Sequence, residues 1–261
     1  MDVFRLAWQF LRIGALNELQ YRVNFFVQVF HALLVLGTGL VGLGLVFSHT
    51  ADLRGWTAME LLAVMGVHIL MGGLIRTTIQ PNMLRLLNEV QEGTLDYALT
   101  KPADAQVLVS IREFRLWQSA DIVMGAVVLG VAVARLQADV GIWQALGFAA
   151  ALTFGALMIY SFWLIITTGA FWVVRMENVI ELFQGVYAAG RWPVGVYPGW
   201  LRTGLTFLVP VAFAVTVPAE ALTGRLTWQT LLAAAGLAAF FLALSRGVWK
   251  IGLRRYSGAS A

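Results

Sequence analysis

The chain has 261 residues, of which 59% are hydrophobic and 12% are charged, and its mean hydropathy is +0.77. Soluble domains average about 25% charged and about 45–50% apolar residues, so this composition excludes an ordinary soluble protein and predicts a membrane protein. The chain has no cysteine, which excludes disulfides and thiolate nucleophiles. The net charge of +4 comes from 18 Lys and Arg scattered between apolar runs, a distribution that argues against a nucleic-acid partner.

The first segment, residues 1–22, is predicted to form an amphipathic helix at the membrane interface. Arg5, Gln9 and Arg12 fall on one stripe of such a helix. The apolar residues of the segment are predicted to lie across from that stripe: Val3, Phe4, Ala7, Trp8, Phe10 and Leu11. A longer start to the first membrane span is the alternative.

Residues 23–261 are predicted to form a single transmembrane domain. A spanning helix needs about 20 mostly apolar residues, and six runs are predicted as spans: 23–47, 57–77, 116–136, 143–172, 176–192 and 226–248. The stretch 193–224 is apolar but contains Pro198, Pro210 and Pro218. Because proline removes a backbone donor and kinks helices, two short re-entrant helices on the outer side are predicted there. The expected fold class is therefore an all-α polytopic membrane protein.

The distribution of Lys and Arg predicts the orientation. With six spans and a cytoplasmic N-terminus, 13 of the 18 cations lie on the cytoplasmic side and 5 lie outside. The inner set is Arg5, Arg12, Arg22, Arg76, Arg85, Lys101, Arg112, Arg115, Arg175, Arg246, Lys250, Arg254 and Arg255. The positive-inside rule therefore favours cytoplasmic N- and C-termini, and a seventh span would weaken the bias.

The sequence lacks the motifs of the common membrane-associated enzymes. Its two lysines, Lys101 and Lys250, are not part of a GxxxxGK[ST] loop, so no ATP site is predicted in this chain. GxSxG and HExxH motifs are absent, and the histidines have no metal-ligand spacing. No catalytic residue and no metal site are predicted. His31 and His68 are interpreted as interhelical hydrogen-bonding residues, with a ligand or proton-relay role as the alternative.

The segment 78–112, between the second and third spans, is predicted to be a cytoplasmic loop that contains a short amphipathic helix. The helix would run from Pro81 to Val90, with Met83, Leu84 and Leu87 at helical spacing, and Gly93 would end it. Such a helix would either lie on the membrane or place its apolar side in a groove of a soluble partner.

Two motifs of the chain resemble a known family. Residues 90–102, VQEGTLDYALTKP, resemble the E-x-G-T-L-D-x-x-L-x-K/R-P signature of ABC-2 type transporter permeases, in particular the half-size, six-span permeases of bacterial exporters. Residues 190–201, GRWPVGVYPGWL, followed by Leu208-Val209-Pro210, resemble the segment after the fifth span in that family. The resemblance extends over the whole chain.

The resemblance implies a partnership with other subunits. Members of the family work with a second permease subunit, identical or homologous, and with two cytoplasmic ABC ATPase subunits that bind ATP and Mg²⁺. It therefore implies no cofactor bound by this chain, contact with membrane lipid, and a location in the bacterial cytoplasmic membrane. The loop after the second span docks on the ATPase in that family, which gives as coupling residues Arg85, Leu87, Glu89, Glu92, Gly93, Asp96 and Leu99.

The predicted fifth span carries polar residues on one face: Glu177, Glu181, Gln184 and Arg191 follow one another at helical spacing. Charges are expensive in hydrocarbon, so we hypothesise that this face borders a translocation path whose carboxylates favour amphipathic or cationic cargo over anions. The alternative is that Glu177 and Glu181 pair with Arg175 or with a neighbouring helix.

Two further patterns concern helix packing. Asp121 and Arg76 are predicted to form a structural ion pair near the inner leaflet, and Gly37, Gly39, Gly42 and Gly44 to form a stripe in the core or at a dimer interface.

The leading functional hypothesis is the permease subunit of an ATP-driven exporter. An ion-gradient-driven secondary transporter is less favoured because inverted repeats are not found, and a non-transporting scaffold is the third possibility.

Overall fold

The protein is described by a computed structural model that covers residues 3–18, 22–136, 141–172 and 178–256. Over these ranges the chain is helical apart from short turns and one isolated bridge between Leu53 and Trp56. The α-helices are α1 (Val3–Glu18), α2 (Arg22–Phe47), α3 (Ala58–Leu74), α4 (Gln80–Gln91), α5 (Asp96–Leu99), α6 (Ala105–Ser110), α7 (Ser119–Leu136), α8 (Ile142–Thr168), α9 (Val179–Ala188), α10 (Gly199–Thr203), α11 (Val217–Leu222) and α12 (Trp228–Leu253).

Five helical segments are long and apolar enough to cross a membrane: Val23–Phe47, Ala58–Gln91, Leu116–Leu136, Ile142–Phe171 and Trp228–Leu253. Four of the predicted spans, 23–47, 116–136, 143–172 and 226–248, fall on four of these segments. The prediction of an all-α polytopic membrane protein is confirmed.

The bundle is built from two close helix pairs, α3 with α7 and α8 with α12. Glycines allow the first pair to approach: a Cβ added at Gly66 would lie 2.9 Å from the backbone nitrogen of Leu129, and one at Gly73 would lie 2.7 Å from that of Ile122. In α8, a Cβ at Gly155 would lie 2.6 Å from the Phe213 carbonyl oxygen. Small residues therefore determine how closely these backbones pack, as is usual between membrane helices.

The glycine stripe of α2 is not used in this way. Added Cβ atoms at Gly37, Gly42 and Gly44 would meet no heavy atom within 4 Å, and only Gly39 packs closely, against the Met65 sulfur. The prediction that these three glycines lie in the core is therefore wrong for the single chain, and the alternative of a dimer interface remains a prediction.

The two ends of the bundle carry different structures. We call one the loop end, because it carries residues 92–115, α1 and the last turns of α12. The other, the hairpin end, carries the tight turn from Leu53 to Trp56, in which Arg54 and Gly55 have φ values of 51° and 80°. Helix α1 packs at the loop end, where a Cβ on Gly14 would lie 3.2 Å from the Phe114 carbonyl oxygen.

The exposed face of α1 differs from the predicted one. Arg5, Gln9 and Arg12 are exposed as expected, but Trp8 is 65% exposed and lies on the same side of the helix. Successive residues of an α-helix are about 100° apart around its axis, so Trp8 lies within about 60° of both Arg5 and Arg12. Phe10 instead packs against the core.

The proline-rich segment 193–224 contains a bent helix pair. Gly199–Leu208 and Ala212–Leu222 meet at an angle of 77°. Before the pair, the Gly195 carbonyl accepts a hydrogen bond from Arg54 at 2.8 Å; after it, Arg225 donates to the Gly55 carbonyl at 2.6 Å. Both flanks therefore bond to the same turn at the hairpin end, and the re-entrant course of the pair in the membrane remains a prediction.

The chain crosses back between α8 and α12 through α9. Helix α8 ends at the loop end, where Phe171 contacts the rings of Trp249 and Tyr256, whereas α12 begins at the hairpin end. The α-helical part of this crossing has ten residues, about 15 Å, and a 3₁₀ turn at Ala189–Arg191 extends it. It is shorter than the predicted fifth span 176–192, of which residues 176 and 177 lie outside the described ranges.

Candidate functional site

The loop end is built on one continuous helical rod. The helix that begins at Ala58 runs through a π-helical turn, Ile75–Ile79, into α4 and ends at Gln91. The predicted separate helix on a loop starting at residue 78 is therefore wrong. The apolar side of α4 is buried in the chain's own core, with Met83, Leu86 and Leu87 exposed by 1%, 0% and 8%. It neither lies on the membrane nor is free to fill a partner's groove.

The rod continues past Pro81 because another segment supplies the hydrogen bond that proline cannot make. In an α-helix the N–H of residue 81 would bond to the Thr77 carbonyl, and proline has no N–H. The backbone N–H of Arg115 donates to the Thr77 carbonyl instead, at 3.0 Å. The Asn82 side chain also donates to the Thr78 carbonyl at 2.7 Å. The proline that predicts a helix boundary is thus accommodated inside the helix.

Asn82 fastens the returning chain to the rod. Its Nδ2 donates to the Glu113 carbonyl at 2.7 Å, and its Oδ1 accepts from the backbone N–H groups of Arg112 and Glu113 at 2.8 and 2.9 Å. The residue is only 1% exposed. Sequence reasoning missed this residue, although an asparagine beside Met83 on the apolar side of a helix is a signal, because a buried amide needs partners.

Glu89 links the rod to the returning chain by an ion pair. It accepts two hydrogen bonds from the Arg112 guanidinium, at 3.0 and 2.6 Å, and one from Arg85 at 3.0 Å. The Arg112 side chain is 5% exposed, so this ion pair is largely removed from water. Removing one partner of such a pair leaves a buried charge uncompensated. Glu89, predicted to be a coupling residue, therefore also holds the loop in place.

The chain leaves the rod at Gly93, as predicted. Gly93 has a φ of 70°, a conformation that glycine adopts without strain. The helix end is closed by Glu92 N–H donating to the Asn88 carbonyl and Thr94 N–H donating to the Glu89 carbonyl, at 2.8 and 2.9 Å. This is the glycine-terminated helix end typical of C-caps.

The segment that follows, residues 92–103, projects from the loop end and is called the docking segment below. Leu95 and Ala98 bury their side chains, at 0% and 1% exposure, and so fix the orientation of α5. Tyr97, between them, is 79% exposed. Tyr97 was missed by the sequence analysis, because no spacing rule distinguishes an outward tyrosine from an inward one in a four-residue helix.

The predicted coupling residues other than Gly93, which ends the rod, divide into three groups by position. Arg85, Glu89 and Glu92 line a cleft of about 430 Å³ that is completed by Thr94, Glu113 and Arg115. Asp96 and Leu99 are half-buried in α5. Leu87 faces the core, so it supports the rod from inside.

A second set of contacts joins α6, which follows the docking segment, to α8 and α12. Asp104 caps α6 by accepting from the Val107 N–H at 3.2 Å and pairs with Arg246 of α12. The hydrogen bond from Arg246 holds the pKa of the Asp104 carboxyl below its usual range. Ser110 and Tyr160 of α8 share a hydrogen bond of 2.8 Å. The sequence predicts for Arg246 only a place among the cytoplasmic cations, because its partner is distant along the chain.

The predicted ion pair between Arg76 and Asp121 is confirmed. The guanidinium donates from Nε and Nη2 to Asp121 Oδ2 at 3.1 and 2.7 Å, and Gln28 Nε2 donates to the same oxygen at 3.2 Å. The Asp121 side chain is 5% exposed. The carboxylate thereby links α2, the rod and α7.

The polar face of α9 points away from the core. Glu181 and Gln184 are exposed, whereas Phe183 and Tyr187 are each 6% exposed on the opposite side. The Tyr187 ring stacks on His68 at 4.5 Å, and its hydroxyl donates to the His68 carbonyl at 2.8 Å. These contacts fix the rotation of α9, so the direction in which its polar face points is determined by the core.

Arg191, another residue predicted to line the translocation path, lies apart from Glu181 and Gln184. Arg191 is exposed and borders a small pocket of about 120 Å³ formed with Thr38, Gly39, Leu61 and Trp192. Glu177 lies outside the described residues. In the described ranges neither Glu181 nor Arg191 makes an ion pair.

The fold is that of a polytopic helical membrane protein, and residues 92–103 at its loop end are anchored by the buried side chains of Leu95 and Ala98. The family model of the ABC-2 family transporter protein matches residues 33–260. The chain therefore belongs to the ABC-2 transporter family, whose members are membrane permease components that work with ABC ATPase partners. Comparison with curated proteins and with solved structures gives no match.

Proposed function

We propose that this chain is the permease subunit of an ATP-driven exporter in the bacterial cytoplasmic membrane, with its loop end in the cytoplasm. Two ATPase subunits bind ATP and Mg²⁺ and press on the docking segment, and the membrane bundle responds. The observation that carries the proposal is the clamped loop: the chain that returns from the docking segment is tied to the rod at residues 112 and 113 by Asn82 and Glu89. A rigid link of this kind suits the transfer of motion from a soluble partner to a span.

The docking surface has the composition expected of a protein interface. Tyr97 is a large exposed aromatic residue of α5, and Arg85 and Glu92, with charges of opposite sign, line the cleft at the same end of the bundle. Aromatic residues that become buried on binding supply much of the energy of such interfaces, and a rim of mixed charge determines register. We infer that Tyr97 is the central anchor for the ATPase.

The experiment is co-purification of the full chain with the ATPase encoded beside it. Tyr97→Ala should reduce the bound ATPase about tenfold or more, since a truncated anchor residue costs about 2 kcal/mol or more. Trp143→Ala is the matched control, because Trp143 is also 79% exposed but stands at the start of α8, at the hairpin end. If the wild-type chain recruits no ATPase, the exporter proposal is wrong; if both variants bind normally, Tyr97 is not the anchor.

We further infer that the polar face of α9 faces a second permease subunit and the cargo path between the two. Glu181 and Gln184 are uncovered in the single chain, and hydrocarbon is an unfavourable environment for them, with a charge costing about 2.5–3.5 kcal/mol on insertion scales. Carboxylates there suit amphipathic cargo, including cations. A permease dimer, of identical or homologous subunits, would cover this face.

This part is tested with the assembled complex and rhodamine 6G, a lipophilic cation, as the probe. In Glu181→Gln the dye concentration that half-stimulates ATP hydrolysis should rise several-fold, because the variant removes the charge and keeps the shape. Asp52→Asn, which removes an exposed carboxylate at the hairpin end and keeps an acceptor for the Gly55 N–H, is the control. An unchanged dye response in Glu181→Gln excludes this carboxylate from the path.

A further inference from the structure

The last span is fastened to the start of α6 by the side chain of Arg246. Along the chain, the docking segment leads to α4 in one direction and, through α6, to α7 in the other. Helix α12 reaches the same place through Arg246, whose Nη1 donates to Asp104 Oδ1 at 2.9 Å and to Gln106 Oε1 at 2.8 Å. Its Nη2 donates to the second Asp104 oxygen. One guanidinium thus makes three hydrogen bonds to the start of α6.

Helix α6 is held on its other sides as well. Leu108 and Val109 are exposed by 2% and 0%. Gln106 Nε2 donates to the Tyr160 hydroxyl at 3.4 Å, and Ser110 bonds to that hydroxyl at 2.8 Å. A helix packed and bonded on this many sides moves as one body with its neighbours, so it can carry a displacement rather than absorb it.

The two ends of this connection lie on different helix pairs. Asn82 and Arg112 tie the chain after α6 to the rod, which pairs with α7. Arg246 belongs to α12, which pairs with α8. A bidentate guanidinium–carboxylate contact fixes orientation as well as distance, which a single point contact does not.

We propose that Asp104 and Arg246 are positioning residues for energy coupling: they transmit displacement of the docking segment to α12, so that both helix pairs respond to the ATPase. The inference rests on the proposed function. It predicts a specific defect in Arg246→Gln, namely that ATP is still hydrolysed but the far end of α12 no longer moves.

The experiment uses the chain with its co-purified ATPase in nanodiscs. A nitroxide is attached to Gln229→Cys, an exposed position at the hairpin end of α12, which is simple because the chain has no native cysteine. The ATP-induced change in its spectrum, divided by the ATPase rate, measures coupling. In Arg246→Gln this ratio should fall about fivefold or more, the lower range of known coupling strengths. Lys250→Gln is the matched control, since Lys250 is exposed one turn further on and makes no ion pair within the described residues.

A second variant distinguishes a loss of transmitted motion from a loss of stability of the folded chain. Asp104→Cys with Arg246→Cys removes both charges, and a short bis-methanethiosulfonate reagent, applied to the permease before assembly, restores the connection through two disulfides. For this variant the nitroxide is joined by an oxime to a ketone-bearing amino acid at position 229, so that neither the reagent nor the reductant reacts with the site of the label. The ratio should be low before cross-linking, recover after it, and fall again on reduction.

The outcomes distinguish the two proposals. If no ATPase binds the wild-type chain, the proposed function fails and this inference falls with it. If ATPase binds and Arg246→Gln keeps the wild-type ratio, or cross-linking restores nothing, only this inference is overturned.

Discussion

The backbone N–H of Arg115 donates to the Thr77 carbonyl, the group that Pro81 leaves without its helical partner. Pro81 and Arg115 are 34 residues apart in sequence, yet they belong to one structural unit. The returning loop supplies, through the Arg115 N–H, the hydrogen bond that the helix lacks at its proline. The rod can then extend from the hairpin end to the docking segment without a break. Gly93 therefore lies at the end of a helix that is continuous with a segment able to cross the membrane.

Asn82→Ala should destabilise the loop end strongly. The change leaves the buried N–H groups of Arg112 and Glu113 and the Glu113 carbonyl without their side-chain partner. A buried group that loses its partner costs about 1–3 kcal/mol, so we expect a loss of about 3 kcal/mol in the free energy of unfolding. SDS-induced unfolding of the purified chain would measure it.

The control for this variant is Asn88→Ala, an exposed asparagine on the same helix. Its substitution should change the free energy of unfolding by about 0.5 kcal/mol at most, as is usual at surface positions. Equal effects of the two substitutions would show that the Asn82 hydrogen bonds do not hold the loop.

Gly125→Ala should separate α3 from α7. An added Cβ at Gly125 would collide with the backbone nitrogen of Leu70, which cannot move aside as a flexible side chain would. Overpacking of this kind costs about 1–3 kcal/mol, more than the 0.5–1 kcal/mol or so that replacing a helical glycine gains. A lower thermal midpoint in detergent is expected.

Gly42→Ala is the matched substitution on α2. A Cβ there meets nothing within 4 Å, so the single chain should keep or slightly raise its thermal midpoint. If the α2 stripe lies at a dimer interface, the same variant should reduce the dimer fraction in cross-linking. A fall in the midpoint of the monomer as large as that of Gly125→Ala would contradict the packing described here.

The sequence predicts the membrane helices well because their signal is local. Long charge-free runs, the prolines of 193–224 and the glycine at position 93 each act within a few residues, and the structure agrees with them. The pairing of Arg76 with Asp121 was also predictable, since two opposite charges near the same leaflet have few other partners.

The contacts that build the loop end were not predictable in the same way. A proline normally marks the end of a helix. At Pro81 the helix continues, because the distant Arg115 donates to the Thr77 carbonyl. Arg246 and Asp104 are 142 residues apart, so no spacing pattern relates them. The glycines that pack α3 on α7 are isolated in sequence, whereas the conspicuous stripe of α2 touches almost nothing. In each of these places the structure depends on contacts between residues that are distant in sequence.

The connection between Asp104 and Arg246 should be lost in acid. The pKa of Asp104 is lowered in the folded chain, so the ion pair contributes stability above the unfolded pKa of about 3.9, and this contribution disappears as the pH falls through the lower folded value. Asp104→Asn keeps a good N-cap for α6 but carries no charge to titrate. The difference in thermal midpoint between wild type and Asp104→Asn should therefore be constant between about pH 5 and 7 and shrink toward zero below about pH 3. The carboxylate is exposed, so the difference is expected to be small and to decrease with added salt. A difference that stays constant down to pH 3 would mean that the charge of Asp104 makes no contribution to holding α12.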